Sequence, residues 1–145
     1  MPNDIRSTDH TGLRVMGVDE CLARLGQTPV GRLAFELDGE IAVLPVTHLL
    51  DGVDVCFRTA GDSKIQAAVD RDRVSYEVDG FDAHSRTGWS VLVHGTALVV
   101  ADDDEIRKLN ASSSRPWVPD VGLTWIRVRS QAITGRELAA VADTR

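Results

Sequence analysis

Arg58, Thr59, Ser63 and Lys64 are the residues in this chain whose types and spacing suggest chemistry. The alternating apolar segment Val55-Cys56-Phe57 runs into Arg58-Thr59, a short loop carries Gly61 and Asp62, and Ser63 then stands three residues before Gln66. Ser-x-x-Gln is a capping-box spacing, in which the serine hydroxyl accepts from the third amide and the glutamine reaches back to the cap. Lys64 falls at the first helical position, where the helix dipole disfavours a cation. A bound anion reverses that preference, because the free amides of a helix N-terminus attract phosphate and carboxylate. Two readings stand on local grounds. In one, Arg58, Thr59, Ser63 and Lys64 cradle a phosphate group. In the other, Asp62 neutralises Lys64 and Arg58 is solvated.

Elsewhere there is no nucleophile–base arrangement, so no catalytic residue is named. The four histidines, His10, His48, His84 and His94, have no metal-ligand spacing, and no metal site is expected. His94 lies mid-strand and reads as a satisfied structural residue, and His48 as a turn-facing one. Glu77 and Asp79, two apart on a strand, point the same way and are expected to face water. Thr87-Gly88-Trp89-Ser90 delivers an indole and a hydroxyl to the start of an apolar strand. Trp89 there is either a core anchor or a cover for a planar ligand or a subunit partner.

The length of 145 residues suits one domain with a substantial core. A net charge of -6 argues against a broad nucleic-acid surface, although a small basic pocket remains compatible with it. Cys21 and Cys56 form no disulfide or metal pattern, and Cys56 reads as a small buried core residue, which suits a reducing cytoplasm. The polar first residues lack a signal core, and no apolar run reaches the roughly 20 residues that span a bilayer. The expected protein is therefore cytoplasmic, with no membrane and no nucleic-acid partner.

The elements that would position these residues follow from periodicity. Residues 1–16 read as a flexible N-terminal arm and 17–140 as the folded domain. Val18, Cys21, Leu22 and Leu25 repeat at helical spacing, with Gly26 and Pro29 as stop signals. Strands are expected at 30–37, 41–47 and 53–58, joined by turns at Asp38-Gly39 and Asp51-Gly52. Pro45 interrupts the second of them and marks an edge or a bulge. A short helix over 63–69, strands at 73–78, 88–101 and 123–134, and a surface helix at about 102–110 complete the pattern. Gly95 suggests a bend or a close backbone approach. Six strands at hairpin spacing with short helices predict a mainly β, six-stranded antiparallel split β-barrel.

The motifs in order are Val30-Gly31-Arg32-Leu33-Ala34, Leu44-Pro45-Val46-Thr47, Phe57-Arg58-Thr59, Gly61-Asp62-Ser63-Lys64, Tyr76-Glu77-Val78-Asp79, Gly88-Trp89-Ser90-Val91-Leu92-Val93-His94-Gly95 and Ile133-Thr134-Gly135-Arg136. Over residues 18–136 this order resembles the pyridoxamine 5'-phosphate oxidase-like FMN-binding split barrels, in particular the short single-domain branch of nitroimidazole-resistance-type reductases. The resemblance implies a homodimer with FMN in grooves at the interface. Arg58, Thr59 and Lys64 would hold the phosphate with Ser63 in support. Pro45, Val46 and Thr47 would face the ring, and Trp89 and Ser90 would reach it from the partner. It implies a flavin-dependent oxidoreductase or flavin reductase that exchanges hydride or electrons with a small-molecule substrate. The alternatives are a non-catalytic flavin-binding module, or a deazaflavin coenzyme or haem on the same barrel, with His48 and His94 the candidate interior axial ligands. The chain lacks the C-terminal extension of the true oxidase, so pyridoxamine phosphate is not the expected substrate.

Overall fold

The computed structural model describes residues 12–60, 69–113 and 123–139, together with Thr8 and Ile65. In chain order the elements are β1 (Arg14–Met16), α1 (Val18–Gln27), β2 (Val30–Leu37), β3 (Glu40–Asp51), β4 (Asp54–Ala60), β5 (Arg73–Asp82), β6 (Thr87–Val99), α2 (Asp103–Ser112) and β7 (Leu123–Leu138).

Alternation decides the architecture. Leu33 and Phe35, Val55 and Phe57, Val74, Tyr76 and Val78, Val91 and Val93, and Ile126 and Val128 are buried, while their neighbours in sequence face the other way. Strands with one apolar face stack those faces inward, and closure removes the exposed edges. Every pairing is antiparallel, in the order β7-β4-β3-β2-β5-β6, and β6 pairs again with β7. The result is the expected closed six-stranded barrel. The Asp38-Gly39 turn has φ of 53° and 81°, the left-handed pair that a two-residue hairpin with native twist requires. At Gly95, where the β6–β7 register shifts, a Cβ would lie 2.3 Å from the Arg129 carbonyl oxygen. The strands meet there too closely for any side chain.

The helices cover what the barrel leaves open. Cys21 and Leu25 bury the apolar face of α1 against the main core. Beneath α2 a second cluster joins Leu109 to Cys56, Val100 and Trp125. Cys56 is buried as expected, but on the outer side of β4 rather than inside the barrel. Asp102 caps α2 by accepting from the Glu105 amide at 3.0 Å. Arg127 ties α2 to the β3–β4 turn, donating to Glu105 at 2.8 Å, Asp51 at 2.7 Å and Asp54 at 3.1 Å.

Two expectations change near the ends of the chain. The arm set at 1–16 is not loose at its end, because Arg14–Met16 pairs with Glu137, Arg136 and Gly135 of β7, and Met16 is buried. The cause is that β4 leaves β7 at Val128, so the outer edge of β7 beyond it is available to another strand. The last strand also runs past Gly135 to Leu138. Gly135 does not end it. It makes room for α1, since a Cβ there would lie 2.6 Å from Cys21 Sγ.

Candidate functional site

The β3–β4 ladder is short. It runs from Asp51↔Asp54 to His48↔Phe57 and stops. The next residues on the two strands are Thr47, Val46 and Pro45 on one side and Arg58 and Thr59 on the other. β3 continues on β2 back to Glu40, while β4 continues on β7 to Ala60. The two edges therefore diverge and split the barrel wall. Residues predicted from two separate motifs face each other across that split.

The direction of the backbone groups follows from one hydrogen bond. The His48 amide donates to the Pro29 carbonyl at 3.2 Å, so the polar groups of His48 face β2. In an antiparallel strand these directions alternate by residue. The Thr47 amide and carbonyl and the Pro45 carbonyl therefore point into the split. Pro45 pairs with Arg32 without breaking the β2–β3 ladder, because the donor it lacks would have faced the split. Pro45 thus lies on a strand edge, as expected.

On the opposite wall the Arg58 guanidinium stacks 4.7 Å from the centre of the Trp125 ring. Trp125 is held from behind, its Nε1 donating to Asn110 Oδ1 of α2 at 2.8 Å. Neither Trp125 nor Asn110 was singled out from the sequence, since nothing local reveals that Arg58 lies opposite Trp125. Ser63 and Lys64, the other half of the cradle, lie outside the described residues. The described part can hold an anion at Arg58 and Thr59 and accept or donate hydrogen bonds to a flat polar ring edge at Thr47.

Trp89 and Ser90 are elsewhere. Trp89 pairs with Glu137 and Arg58 with Trp125, so the two sites are twelve residues apart on β7, a strand length of about 40 Å. They also diverge in facing. Val91 and Val93 are buried, so alternation turns Trp89 inward and Ser90 outward. Trp89 packs on the core with the Arg24 guanidinium 4.6 Å from its ring centre, beside a cleft of about 410 Å³ lined by Phe81, Thr87 and Glu137. Gly80 makes space for the indole, as a Cβ there would lie 2.8 Å from Nε1.

His94 is a satisfied mid-strand residue, as expected, whereas His48 differs from expectation. His94 is exposed on the outer face and bonded to Ser75 Oγ at 2.8 Å, so it is not an interior ligand. His48 does not face a turn. It is half-buried, with Nε2 2.8 Å from the Leu25 carbonyl and Nδ1 2.5 Å from the Tyr76 hydroxyl. Burial pushes its pKa below the ordinary value, partly offset by the Leu25 carbonyl. Both ring nitrogens are engaged, which leaves none to ligate haem iron. Among the described residues no group of three or more metal-ligating side chains exists. Burial pushes the Cys56 thiol up to about 12, so it is no thiolate nucleophile.

Glu77 and Asp79 share the outer face and remain about a third exposed, as expected, but both are also engaged by one arginine. Arg32 Nη1 donates to Glu77 Oε1 at 3.1 Å and to Asp79 Oδ2 at 2.7 Å. Desolvation first, and Asp79 second, push Glu77 up to about 7 against the opposing pull of Arg32.

Comparison with known proteins shows the family and the fold. The family model described as pyridoxamine 5'-phosphate oxidase matches residues 17–137. An uncharacterized protein of Mycobacterium tuberculosis is 30% identical over 99% of this chain and 97% of its own length. The FAD binding protein from Mycobacterium smegmatis is 29% identical, with a TM-score of 0.75 over 86% of this chain and 99% of its own. The FAD and heme binding protein from the same organism shares the fold at 15% identity, with a TM-score of 0.70 over 90% of this chain and 76% of its own.

Proposed function

The chain belongs to the pyridoxamine 5'-phosphate oxidase family, and from that premise we propose that it binds a flavin in the β3–β4 split and exchanges electrons with a small molecule. The observation that carries this reading is the end of the ladder at His48↔Phe57, which leaves Thr47 and Arg58 on facing walls of one groove. The residues present fit FMN. Arg58 and Thr59 hold the phosphate, with Ser63 and Lys64 completing the cradle. Pro45, Val46 and Thr47 line the ring end. The bound isoalloxazine supplies the redox chemistry that the side chains lack. The Thr47 amide donates to the polar edge of the ring and orients it, and Trp125 holds the Arg58 guanidinium in place. The Pro45 ring and its apolar neighbours exclude water from that end.

One chain does not complete this groove, because Trp89 and Ser90 of β6 lie beside the far end of β7. In our reading a second copy supplies them in a homodimer, with Ser90 on its outer face at the ring and Trp89 closing the neighbouring cleft. The outer face suits such a contact. Ile41 and Val43, side by side on it, are 82% and 57% exposed, and apolar surface of this kind marks interaction sites. The same reading makes the protein cytoplasmic. FAD is a second reading, favoured by the FAD binding protein from Mycobacterium smegmatis at 29% identity.

The test is an absorption spectrum of the purified protein, followed by titration with FMN and with FAD and by sizing. The expected result is flavin bands at about one flavin per chain in a dimer, with consumption of NADPH or NADH in the presence of an acceptor. Uptake of neither flavin would defeat the reading. A yellow protein without turnover would reduce it to a flavin-binding module, and a monomer would remove Ser90 and Trp89 from the site.

A further inference from the structure

Tyr76 is fully buried on β5, yet its hydroxyl reaches across β2 to β3. It passes over Gly31, where a Cβ would lie 2.4 Å from the ring. Gly31 is the residue opposite Val46. Two groups meet at this hydroxyl: His48 Nδ1 lies at 2.5 Å and the Val46 carbonyl at 3.3 Å.

The donor roles are fixed by the far side of the imidazole. His48 Nε2 lies 2.8 Å from the Leu25 carbonyl, which can only accept. Nε2 therefore carries the proton in the neutral ring and Nδ1 is bare. The Tyr76 hydroxyl must then donate to Nδ1, with the Val46 carbonyl its weaker second acceptor. The chain of bonds runs from Tyr76 on β5, over Gly31, to His48 on β3 and ends at the last turn of α1. It anchors β3 at Val46 and His48, the residues on either side of Thr47. With Val46 and His48 both turned to β2, Thr47 can only turn to the split.

We propose that His48 and Tyr76 are positioning residues for the groove, holding Val46 and His48 against β2 so that the Thr47 amide stays presented to the ring end of a bound flavin. The identity of the ligand rests on the flavin reading above, whereas the relay rests on the hydrogen bonds alone. Nothing in the relay touches the phosphate end. It therefore acts on the ring and on riboflavin as much as on FMN.

The experiment compares the full-length protein with Tyr76→Phe and His48→Gln. Measured are amide exchange at Val46 and His48, binding of FMN and of riboflavin, and the ¹⁵N shifts of the histidine ring in the unliganded protein. Loss of one hydrogen bond at the groove wall is expected to speed exchange at both amides and to weaken FMN and riboflavin by one common factor of about ten. The melting curve serves as the control, and exchange in β6 should stay unchanged. Arg58→Ala, by contrast, weakens FMN alone. A bare Nε2 with a protonated Nδ1 overturns the proposal even if neither variant folds. Exchange that is unaffected in both variants also overturns it, as does an FMN and riboflavin affinity equal to wild type. If the wild-type protein binds neither flavin, the flavin reading and the role in the groove fall together, and faster exchange would support only the relay.

Discussion

The Arg58 guanidinium lies 4.7 Å from the centre of the Trp125 ring, directly across β4 and β7, and the Trp125 indole is itself tethered to Asn110. A cation over an aromatic face is attracted by the ring quadrupole and loses freedom to wander. Arg58→Ala is expected to weaken FMN by about 1.5–3 kcal/mol, roughly ten- to a hundredfold, through loss of a charge-assisted hydrogen bond. Trp125→Leu keeps the charge and loses the stack, and costs less, about 0.5–1 kcal/mol. Titration calorimetry on the two variants separates these contributions, and equal losses would mean that Trp125 acts on the fold rather than on Arg58.

Gly135 and Cys21 form a coupled pair, because a Cβ at Gly135 would come 2.6 Å from Cys21 Sγ. Gly135→Ala is expected to destabilise by about 1–3 kcal/mol, the range for overpacking. Cys21→Ala removes the sulfur and should recover part of that loss, leaving the contacts with Met16. A double-mutant cycle by urea melts should give an interaction energy of about 0.5 kcal/mol or more. Additive effects would show that the helix simply shifts.

Arg127 gathers Asp51, Asp54 and Glu105, and its side chain is 14% exposed. The hydrogen bond and charge of Arg127 hold the Asp51 carboxyl below the usual carboxylate range, against desolvation. A folded pKa below the unfolded one stabilises above the unfolded value, about 3.9, and that stability is lost as pH falls through the lower folded value. Melting temperature should therefore fall on acidification below about pH 4. Arg127→Met should destabilise at neutral pH by several kcal/mol, since it leaves three carboxylates together with only the exposed Lys108 near Asp51, and should flatten the acid limb.

Glu77 behaves with the opposite sign. Its pKa rises from 4.5 unfolded to about 7 folded, so the folded state binds the proton more tightly. Stability is then lost as pH rises between those values. Glu77→Gln is expected to melt higher than wild type at pH 8 and with little difference at pH 5. Arg32→Ala should make the wild-type loss steeper, since Arg32 is the group that favours the ionised form. A pH-independent difference between Glu77→Gln and wild type would show that the carboxyl stays ionised throughout.

Local pattern reached a long way in this chain. The period-two apolar runs determined the strands, Asp38-Gly39 determined the first hairpin, and the helical spacing of Val18, Cys21, Leu22 and Leu25 determined α1, because each of these choices is made within a few residues. The edge position of Pro45 was also legible, since a proline within a strand is unusual in itself. What the sequence left undecided depended on register between strands distant in the chain. Only the fold shows that the β3–β4 ladder stops at His48↔Phe57 and so sets two motifs on facing strand edges. Likewise only the fold carries Tyr76 over Gly31 to His48, stacks Arg58 on Trp125 and turns Trp89 and Ser90 to opposite faces of β6. Side-chain type fixes what a residue can do. Cross-strand pairing fixes what it meets, and that pairing is settled by the cooperative closure of the whole barrel.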